Sequence, residues 1–236
     1  AFQTLAKKVP ADGFIVADVK NENVKPILAG AVATVIDYRE FVSLDLLMRQ
    51  PGLHNRLNAG AVRAVAKKLE IDEKNSDQAL SNFAGTWRRF EYKGILHNGE
   101  NEITVYDDYG HHPTEIKATI SGTRELFPNQ YLTVVFQPHT YTRTSELFTD
   151  FTEALAKADE VVLLPIYAAR EGNISGVSSE KLAVAINELG TKTTVVNNPE
   201  EAVGVIKNKI YQDKGGVVVT TGAGDMTTSI AEGLVG

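Results

Sequence analysis

Two acids and two imidazoles lie close together near the middle of this 236-residue chain. Asp107, Asp108, His111 and His112 follow the short apolar run 103–106, which is typical of a β-strand. Carboxylates and imidazoles exchange protons and bind hydroxyl groups and cations, as enzyme sites require. In open α/β sheets, ligands bind beyond the carboxyl ends of the strands. These four residues therefore indicate a binding or catalytic site.

Three further polar segments follow predicted strands in the same way. Segment 137–143, which contains His139 and Arg143, and segment 165–171 each come directly after an apolar run. The glycine-rich segment 222–225 follows the last such run. Because the carboxyl ends of parallel strands meet at one edge of a sheet, we expect all four segments to converge there.

The elements that would position these segments alternate regularly along the second part of the chain. Apolar, β-branched runs predict strands, and apolar residues spaced three and four apart predict helices. Asn98-Gly99 indicates a hairpin turn just before the first of these strands. The alternation predicts an α/β fold with a Rossmann-like, doubly wound and mostly parallel sheet. The strands are predicted at 103–106, 131–136, 160–164, 192–196 and 216–220, and the helices at 113–127, 144–157, 178–189, 199–211 and 225–234.

Residues 1–83 show a shorter version of the same pattern. A strand at 13–17, a helix at 23–29 and a strand at 31–37 form a single α/β unit, which is too small to be stable alone. The sequence also opens without Met and in mid-pattern. We therefore expect residues 1–83 to be the end of an α/β domain from a longer protein, and residues 84–236 to form the next domain.

Two polar clusters allow more than one interpretation. His54, Asn55 and Asn58 lie at the start of a predicted helix, where Asn often caps the backbone N–H groups. The same cluster at the positive end of a helix would also suit a nucleotide. Arg88 and Arg89 would point to opposite faces of a strand, so that one would be a surface charge while the other would enter a cleft. The alternative for each is a solvated charge or a structural ion pair.

Composition excludes several classes of protein. The net charge is −6 without a basic run, which argues against nucleic-acid binding. No apolar stretch approaches the roughly 18 residues needed to span a bilayer, so no membrane partner is expected. The absence of cysteine excludes disulfides, thiolate catalysis and Cys-based zinc sites. We see no signal peptide and expect a cytoplasmic location.

Other site chemistries fit the motifs less well. The two adjacent histidines do not match a zinc motif, so no protein-held metal site is predicted. A magnesium–nucleotide complex suits the carboxylates better, because Mg²⁺ prefers oxygen ligands. No Gly-x-Ser-x-Gly motif of a serine hydrolase is present. Gly222-x-Gly lacks the third glycine of a dinucleotide-binding motif, although such a loop can still hold a carboxylate or phosphate.

Four motifs resemble the Mur ligase family in type and order. They cover nearly the whole length of the chain, and several of them are long. These motifs are Pro51-Gly-Leu-His-Asn-Arg-Leu-Asn-Ala59, Trp87-Arg-Arg-Phe-Glu91, Asp107-Asp-Tyr-Gly-His-His-Pro-Thr-Glu115 and Phe136-Gln-Pro-His-Thr-Tyr-Thr-Arg-Thr144. Within the family, the third and fourth of these motifs are typical of members that act on UDP-N-acetylmuramate and L-alanine.

The resemblance implies a three-domain, ATP- and Mg²⁺-dependent ligase of peptidoglycan synthesis. ATP would phosphorylate the muramoyl carboxylate, and the amine of L-alanine would displace phosphate from the acyl phosphate. Residues 1–83 would end the central ATP-binding domain, and residues 84–236 would form the amino-acid-binding domain. The phosphate loop and the UDP-sugar domain would precede this chain, so the chain alone is expected to be inactive. Two alternatives remain open: a related ligase that adds another amino acid or a murein peptide, and a non-catalytic binding module.

The resemblance also implies roles for individual residues. Arg89, with His111 and His112, would belong to the reaction centre. Asp108 would take the ribose hydroxyls, and Asp107 would support its loop. The implied nucleotide-binding residues are His54, Asn55, Asn58, Arg88, Arg89, Asp107, Asp108 and Tyr109, and His139 and Arg143 would hold the amino-acid carboxylate.

One position departs from the family pattern. An arginine usually follows Gln-Pro-His, but here the residue is Thr140. A missing cation would weaken carboxylate binding, since a hydrogen bond to a charged group contributes roughly 1.5–3 kcal/mol. Three alternatives are open: Arg143 suffices, Arg170 substitutes for the missing cation, or the amino acid differs. We expect Thr140→Arg to lower the KM for L-alanine.

Overall fold

The computed structural model describes residues 1–172, 176–211 and 215–236, which form two compact units at residues 1–84 and 85–236. No helix of the described residues has the length and apolar character needed to cross a membrane. The helices are α1 (Phe2–Ala6), α2 (Lys25–Leu28), α3 (Leu53–Lys68), α4 (Glu73–Asn82), α5 (Pro113–Leu126), α6 (Tyr141–Glu146), α7 (Phe148–Leu155), α8 (Ser179–Glu188), α9 (Pro199–Val205) and α10 (Asp225–Val235). The strands are β1 (Phe14–Ala17), β2 (Thr34–Asp37), β3 (Glu91–Asn98), β4 (Asn101–Asp108), β5 (Leu132–Phe136), β6 (Glu160–Leu163), β7 (Lys192–Val195) and β8 (Gly216–Thr221).

The first unit is built around two parallel strands and two longer helices. β1 pairs with β2, as expected for a strand–helix–strand unit. Gly60 of α3 allows a close approach to a 3-10 turn at Tyr38–Phe41, because a Cβ there would lie 2.9 Å from the Tyr38 carbonyl oxygen. No Val, Leu, Ile, Met or aromatic side chain of residues 1–84, all of which the structure describes, is buried.

The second unit contains one sheet in the order β3-β4-β8-β5-β6-β7. The five strands from β4 to β8 are mutually parallel, which confirms the predicted Rossmann-like arrangement. The Asn98-Gly99 turn adds β3 as an antiparallel edge strand beside β4. Because β4, β8, β5 and β6 are central and parallel, their carboxyl ends bring the polar loops to one edge.

An apolar core covers each face of this sheet. Alternate residues of the central strands point to opposite faces, so each strand contributes to both cores. One core contains Ile116, Ile120, Val134, Phe136, Phe151, Leu155, Leu163, Leu182, Ile186 and Val219. The other contains Ile103, Val105, Val135, Val162, Leu164, Val205, Ile206, Tyr211, Val218, Ile230 and Leu234.

Two local predictions were wrong, and a third element was predicted as a helix but differs in the type of its last turn. Residues 87–90 form a turn instead of a strand, because Arg88 and Phe90 have positive φ angles of 53° and 48°. The helix predicted at 144–157 begins at Tyr141, where Thr140 caps it, and is interrupted at Leu147 between α6 and α7. The helix predicted at 199–211 ends as a π-helical turn at Ile206–Ile210.

Candidate functional site

Asp107, at the end of β4, lies in the interior of the second unit. Its Oδ2 accepts a hydrogen bond of 3.0 Å from Arg88 Nε, and both side chains are at most 1% exposed. Thr220 Oγ1 donates to its Oδ1 at 2.7 Å, and Thr228 Oγ1 donates to its Oδ2 at 2.8 Å. Asp107 thus connects the ends of two neighbouring strands with the start of α10, and support of the loop after β4 stays a prediction.

Arg88 is bound at Nε and Nη2 by partners within the chain. Beyond Asp107, its Nη2 donates to the Gly222 carbonyl oxygen and, at 2.8 Å, to Thr227 Oγ1. Its guanidinium therefore has no exposed surface with which to meet a phosphate. This position disagrees with the prediction that Arg88 binds a nucleotide, and the reason is that a buried carboxylate already neutralises it.

Asp108 organises the loop that follows β4. Its Oδ2 accepts from Phe90 N at 2.8 Å, and its Oδ1 accepts from Gly110 N at 2.7 Å and from Thr119 Oγ1 at 3.3 Å. Burial raises the pKa of its carboxyl group, and the hydrogen bonds from Gly110 and Phe90 oppose that rise. Contact with ribose hydroxyls stays a prediction for this residue.

Arg89 faces outward beside its buried neighbour. Its side chain is 55% exposed and lies 3.7 Å from Glu115 Oε1. The Tyr109 ring lies against both guanidinium groups, at 5.1 Å from Arg88 and 5.6 Å from Arg89. One of the two arginines thus lies in the interior and the other is exposed. Their side chains point in different directions because they lie in a turn, and not because they alternate along a strand.

The two histidines after β4 have different roles in the loop. His112 is the N-cap of α5, and its ring accepts a hydrogen bond of 3.2 Å from Thr114 N. His111 Nδ1 lies 3.1 Å from the Tyr109 carbonyl oxygen, which can only accept, so Nδ1 carries a hydrogen. The unprotonated nitrogen of neutral His111 is therefore Nε2.

Glu115 holds this pair of histidines in place. Its Oε2 accepts from His111 N at 2.9 Å and from His112 N at 3.1 Å. Burial acts to raise the pKa of Glu115, but these two N–H groups, with the charge of Arg89 and that of His111 when its ring is protonated, lower it overall. Sequence reasoning did not assign this residue, although its position three residues after the helix cap is typical of a capping box.

A row of four rings crosses the loops after β4, β5 and β6. Centroid distances are 5.4 Å from Tyr109 to His111, 5.9 Å from His111 to His139, and 5.2 Å from His139 to Tyr167. Arg143 Nη1 lies 3.5 Å from His139 Nδ1. The structure therefore brings His111, His139 and Arg143 together as expected, and adds Tyr167, which sequence reasoning missed.

Burial lowers the pKa of His139, and the charge of Arg143, with that of His111 when its ring is protonated, lowers it further, whereas Glu171 acts in the opposite direction. A neutral ring beside Arg143 receives its hydrogen bond at Nδ1, so that Nε2 carries the hydrogen. Neutral His139 therefore offers a donor at Nε2.

Backbone hydrogen bonds join the loops that follow β5 and β6. Thr140 N donates to the Tyr167 carbonyl oxygen and Tyr167 N to the Pro138 carbonyl oxygen, both at 2.8 Å. Glu171 Oε2 accepts from Thr142 N at 2.8 Å, which lowers the pKa of Glu171. These loops are therefore fixed relative to each other.

Backbone strain concentrates at this edge. Four non-glycine residues have positive φ angles among the described residues of the second unit, and all lie at the sheet edge formed by the carboxyl ends of the parallel strands. They are Arg88, Phe90, Thr140 and Ala169. Such conformations persist only where the surroundings hold them, and they cluster at functional sites.

The glycine-rich segment after β8 packs on Gln137. A Cβ on Gly224 would overlap Gln137 Oε1, and Gly222 has a φ angle of 149°. Gln137 is 2% exposed, and its Oε1 is buried without a hydrogen-bond partner among the described residues. These two glycines are thus required by the close approach of Gln137.

The polar cluster of the first unit caps no helix with a side chain. Gly52 is the N-cap of α3, with a φ angle of 93°, and Asn55 Nδ2 donates to the Pro51 carbonyl oxygen at 2.8 Å. His54 and Asn58 are exposed. The capping interpretation is therefore wrong, and nucleotide binding by His54, Asn55 and Asn58 stays a prediction.

The described residues include no group of three or more acids and histidines placed to hold a metal ion. The carboxylates that sequence analysis connected with Mg²⁺ are instead engaged inside the chain, Asp107 with an arginine and Asp108 with backbone N–H groups. The residues present thus do not fit a metal site.

Comparison with known families and proteins agrees with this architecture. Residues 88–224 match the Mur ligase, glutamate ligase domain family. A UDP-N-acetylmuramate–L-alanine ligase of Clostridium acetobutylicum is 37% identical over 95% of this chain and 53% of its own length. One from Lachnospira eligens is 46% identical over 75% of this chain and 37% of its own.

A solved structure gives the same answer. The crystal structure of UDP-N-acetylmuramate–alanine ligase from Thermotoga maritima superposes with a TM-score of 0.62 at 33% identity, covering 78% of this chain and 37% of that one. The chain spans about half the length of the Clostridium relative, which is 53% covered. The family match covers more than half of the chain and includes the loops that carry the ring row, so this chain belongs to the Mur ligase family.

Proposed function

We propose that this chain supplies the amino-acid site and one phosphate-facing cation of an ATP-dependent ligase that joins L-alanine to UDP-N-acetylmuramate. The observation that carries the proposal is the convergence of Arg89, His111, His139 and Arg143 at one edge of the sheet. Relatives that match this chain are named UDP-N-acetylmuramate–L-alanine ligases. Turnover is proposed for the longer protein, because the chain covers 53% of the Clostridium relative.

Arg143 and His139 suit the carboxylate of the incoming amino acid. The Arg143 guanidinium supplies charged donors, and neutral His139 supplies a further donor at Nε2. Charge-assisted hydrogen bonds of this kind are about twice as strong as neutral ones. The pair therefore favours an amino acid with a free α-carboxylate.

His111 suits the amine of the same amino acid. An ammonium group must lose a proton before its nitrogen can attack, and a base within reach promotes that step. Nε2 of neutral His111 is unprotonated because Nδ1 donates to the Tyr109 carbonyl oxygen. The ring of His111 lies 5.9 Å from that of His139, so one small molecule can meet both.

Arg89 suits the phosphate groups. Its half-exposed guanidinium can neutralise charge on a phosphoryl oxygen, which is a principal need in phosphoryl transfer. ATP would supply the phosphoryl group that converts the muramoyl carboxylate into a reactive acyl phosphate. The described residues do not offer a Mg²⁺ site, and we assign no step to the metal in this chain.

The test is steady-state kinetics of the full-length protein that carries this chain. ADP should form only when UDP-N-acetylmuramate and L-alanine are both present. Arg143→Gln should raise the KM for L-alanine about tenfold or more while changing the KM for ATP little, since a lost charged hydrogen bond costs roughly 1.5–3 kcal/mol. Arg89→Gln should show the opposite pattern.

The Arg143→Gln and Arg89→Gln variants serve as controls for each other, because both replace one guanidinium by the same shorter, uncharged amide. Faster turnover with a murein tripeptide than with L-alanine would assign the protein to the related peptide-adding ligases. ADP formation that does not depend on an amino acid would contradict the proposal.

A further inference from the structure

Arg89 lies between two residues with strained backbones. Arg88 and Phe90 have φ angles of 53° and 48°, a region that bulky side chains rarely adopt. Such residues persist only where neighbouring groups over-determine them. The reversal of the chain at both positions directs Arg89 away from the interior, where Arg88 lies.

Two consecutive carboxylates hold these flanking residues. Asp107 binds the Arg88 side chain at 3.0 Å, and Asp108 accepts from the Phe90 backbone N–H at 2.8 Å. The Phe90 ring stacks on Tyr106 with 4.3 Å between centroids. Asp107 therefore holds Arg88, and Asp108 holds Phe90, on the two sides of Arg89.

A second backbone contact closes the same turn. Tyr109 N donates to the Arg88 carbonyl oxygen at 2.7 Å. This hydrogen bond joins the loop that begins after Asp108 to the turn that contains Arg89. The Tyr109 ring then lies against both guanidinium groups. The turn and the loop after β4 are thus joined by a backbone hydrogen bond and by the contacts of the Tyr109 ring.

We propose that Asp107 and Asp108 are positioning residues that present Arg89 to an anionic group of the nucleotide, acting through Arg88 and Phe90. This inference rests on the proposed function and adds a cause for the geometry of Arg89. Asp107 does not touch the ligand, because it is fully buried and bonded to Arg88, Thr220 and Thr228. Any influence of Asp107 on nucleotide binding is therefore indirect, and the proposal assigns that influence to Arg89.

The test is a double-mutant cycle between positions 107 and 89 in the full-length protein. Asp107→Asn should raise the KM for ATP about tenfold, because small displacements of a binding group are costly. Arg89→Ala should raise it at least as much, and the double variant should be no worse than Arg89→Ala alone. Asp159→Asn is the matched control, since Asp159 pairs with Arg124 at 2.9 Å before β6, at the opposite end of the sheet.

The outcomes separate this inference from the proposed function. If Arg89→Ala leaves the KM for ATP unchanged, the phosphate role of Arg89 fails, and the inference fails with it. If Arg89→Ala weakens ATP but Asp107→Asn does not, or the two effects multiply, the inference alone is overturned. If Asp107→Asn does not fold, Thr228→Val takes its place, because it removes one hydrogen bond from Asp107. Thr228→Val should raise the KM for ATP by a smaller factor, and combining it with Arg89→Ala should raise the KM no further than Arg89→Ala alone.

Discussion

Arg88 and Arg89 are adjacent and chemically identical, but their side chains are 1% and 55% exposed. The difference comes from backbone conformation and from the position of one carboxylate, Asp107. A buried arginine requires a partner of opposite charge, whereas an exposed one remains available to a ligand. At the scale of single residues, a charged side chain is available to a ligand only where no partner in the protein already neutralises its charge.

Thr140 provides a residue-scale test of amino-acid binding. We expect Thr140→Arg to lower the KM for L-alanine of the full-length protein about tenfold, because a second cation would lie beside His139 and Arg143. The hydroxyl of Thr140 also caps α6 by accepting from Arg143 N at 3.4 Å. The substitution should therefore lower stability by about 1 kcal/mol.

Thr140→Gln is the control for this substitution, since it removes the cap without adding charge. It should reproduce the loss of stability and leave the KM unchanged or higher. An unchanged KM in Thr140→Arg would show that position 140 does not approach the carboxylate.

The imidazole of His139 provides a second test, by pH. Burial, together with the nearby Arg143 and His111, lowers its pKa below the ordinary value of about 6.5. The unfolded chain therefore binds this proton first as the pH falls, so His139 costs stability below that value and costs nothing above it. We expect Arg143→Gln to raise the pKa of His139, as measured by NMR titration of its ring proton.

Arg170→Gln is the matched control for the titration, because Arg170 is exposed and is not among the groups that shift the pKa of His139. A pKa of His139 that is the same in Arg143→Gln and in the unsubstituted chain would disprove the electrostatic link between these two residues.

At the scale of elements, the packing around β8 limits which residue the strand can have at its first position, Gly216. Gly216 begins this central strand, and a Cβ there would lie 2.7 Å from Tyr211 Cε1 and would also overlap the Tyr131 carbonyl oxygen. Tyr211 is fully buried, and its hydroxyl donates to the Val217 carbonyl oxygen at 2.8 Å. The strand therefore has no room for a side chain at this position.

We expect Gly216→Ala to lower the free energy of unfolding by about 1–3 kcal/mol through overpacking. Gly204→Ala in α9 is the matched control, because a Cβ there meets no atom within 4 Å. It should stabilise the chain by about 0.5–1 kcal/mol, since alanine favours a helix more than glycine does. Urea unfolding measures both, and equal effects of the two substitutions would contradict this account.

Most strands and helices were predictable from the sequence, because apolar periodicity reflects burial directly. The convergence of the loops after β4, β5 and β6 followed from the parallel sheet. The turn at 87–90 was not predictable, since adjacent arginines carry no signal for positive φ. The burial of Arg88 was not predictable either, because its partners Gly222 and Thr227 are far away in the sequence.

At the scale of the whole molecule, the two units differ in how they bury apolar surface. The second unit has two cores of large aliphatic and aromatic side chains. The first unit buries none of its large apolar side chains and exposes Leu44 by 70% and Leu47 by 83%. Exposed apolar side chains of this kind favour association.

We expect the 236-residue chain to self-associate through these two side chains. Leu44→Lys with Leu47→Lys should weaken that association about a hundredfold or more, because two buried leucines contribute roughly 1.5–3 kcal/mol each. Sedimentation velocity measures the change. Val184→Lys in α8 is the control, because Val184 is 58% exposed on the unit that has its own cores. Equal effects of both changes would rule out a special contribution from the leucines.

The order of the strands has a consequence for synthesis. β8 lies between β4 and β5, although it is made after every other strand of the sheet. A ribosome that has just released β7 therefore carries a sheet in two halves, each with an open inner edge. Unpaired edges invite pairing with the wrong chain. The interval before Gly216–Thr221 emerges is thus the moment when a nascent polypeptide most needs protection by a chaperone.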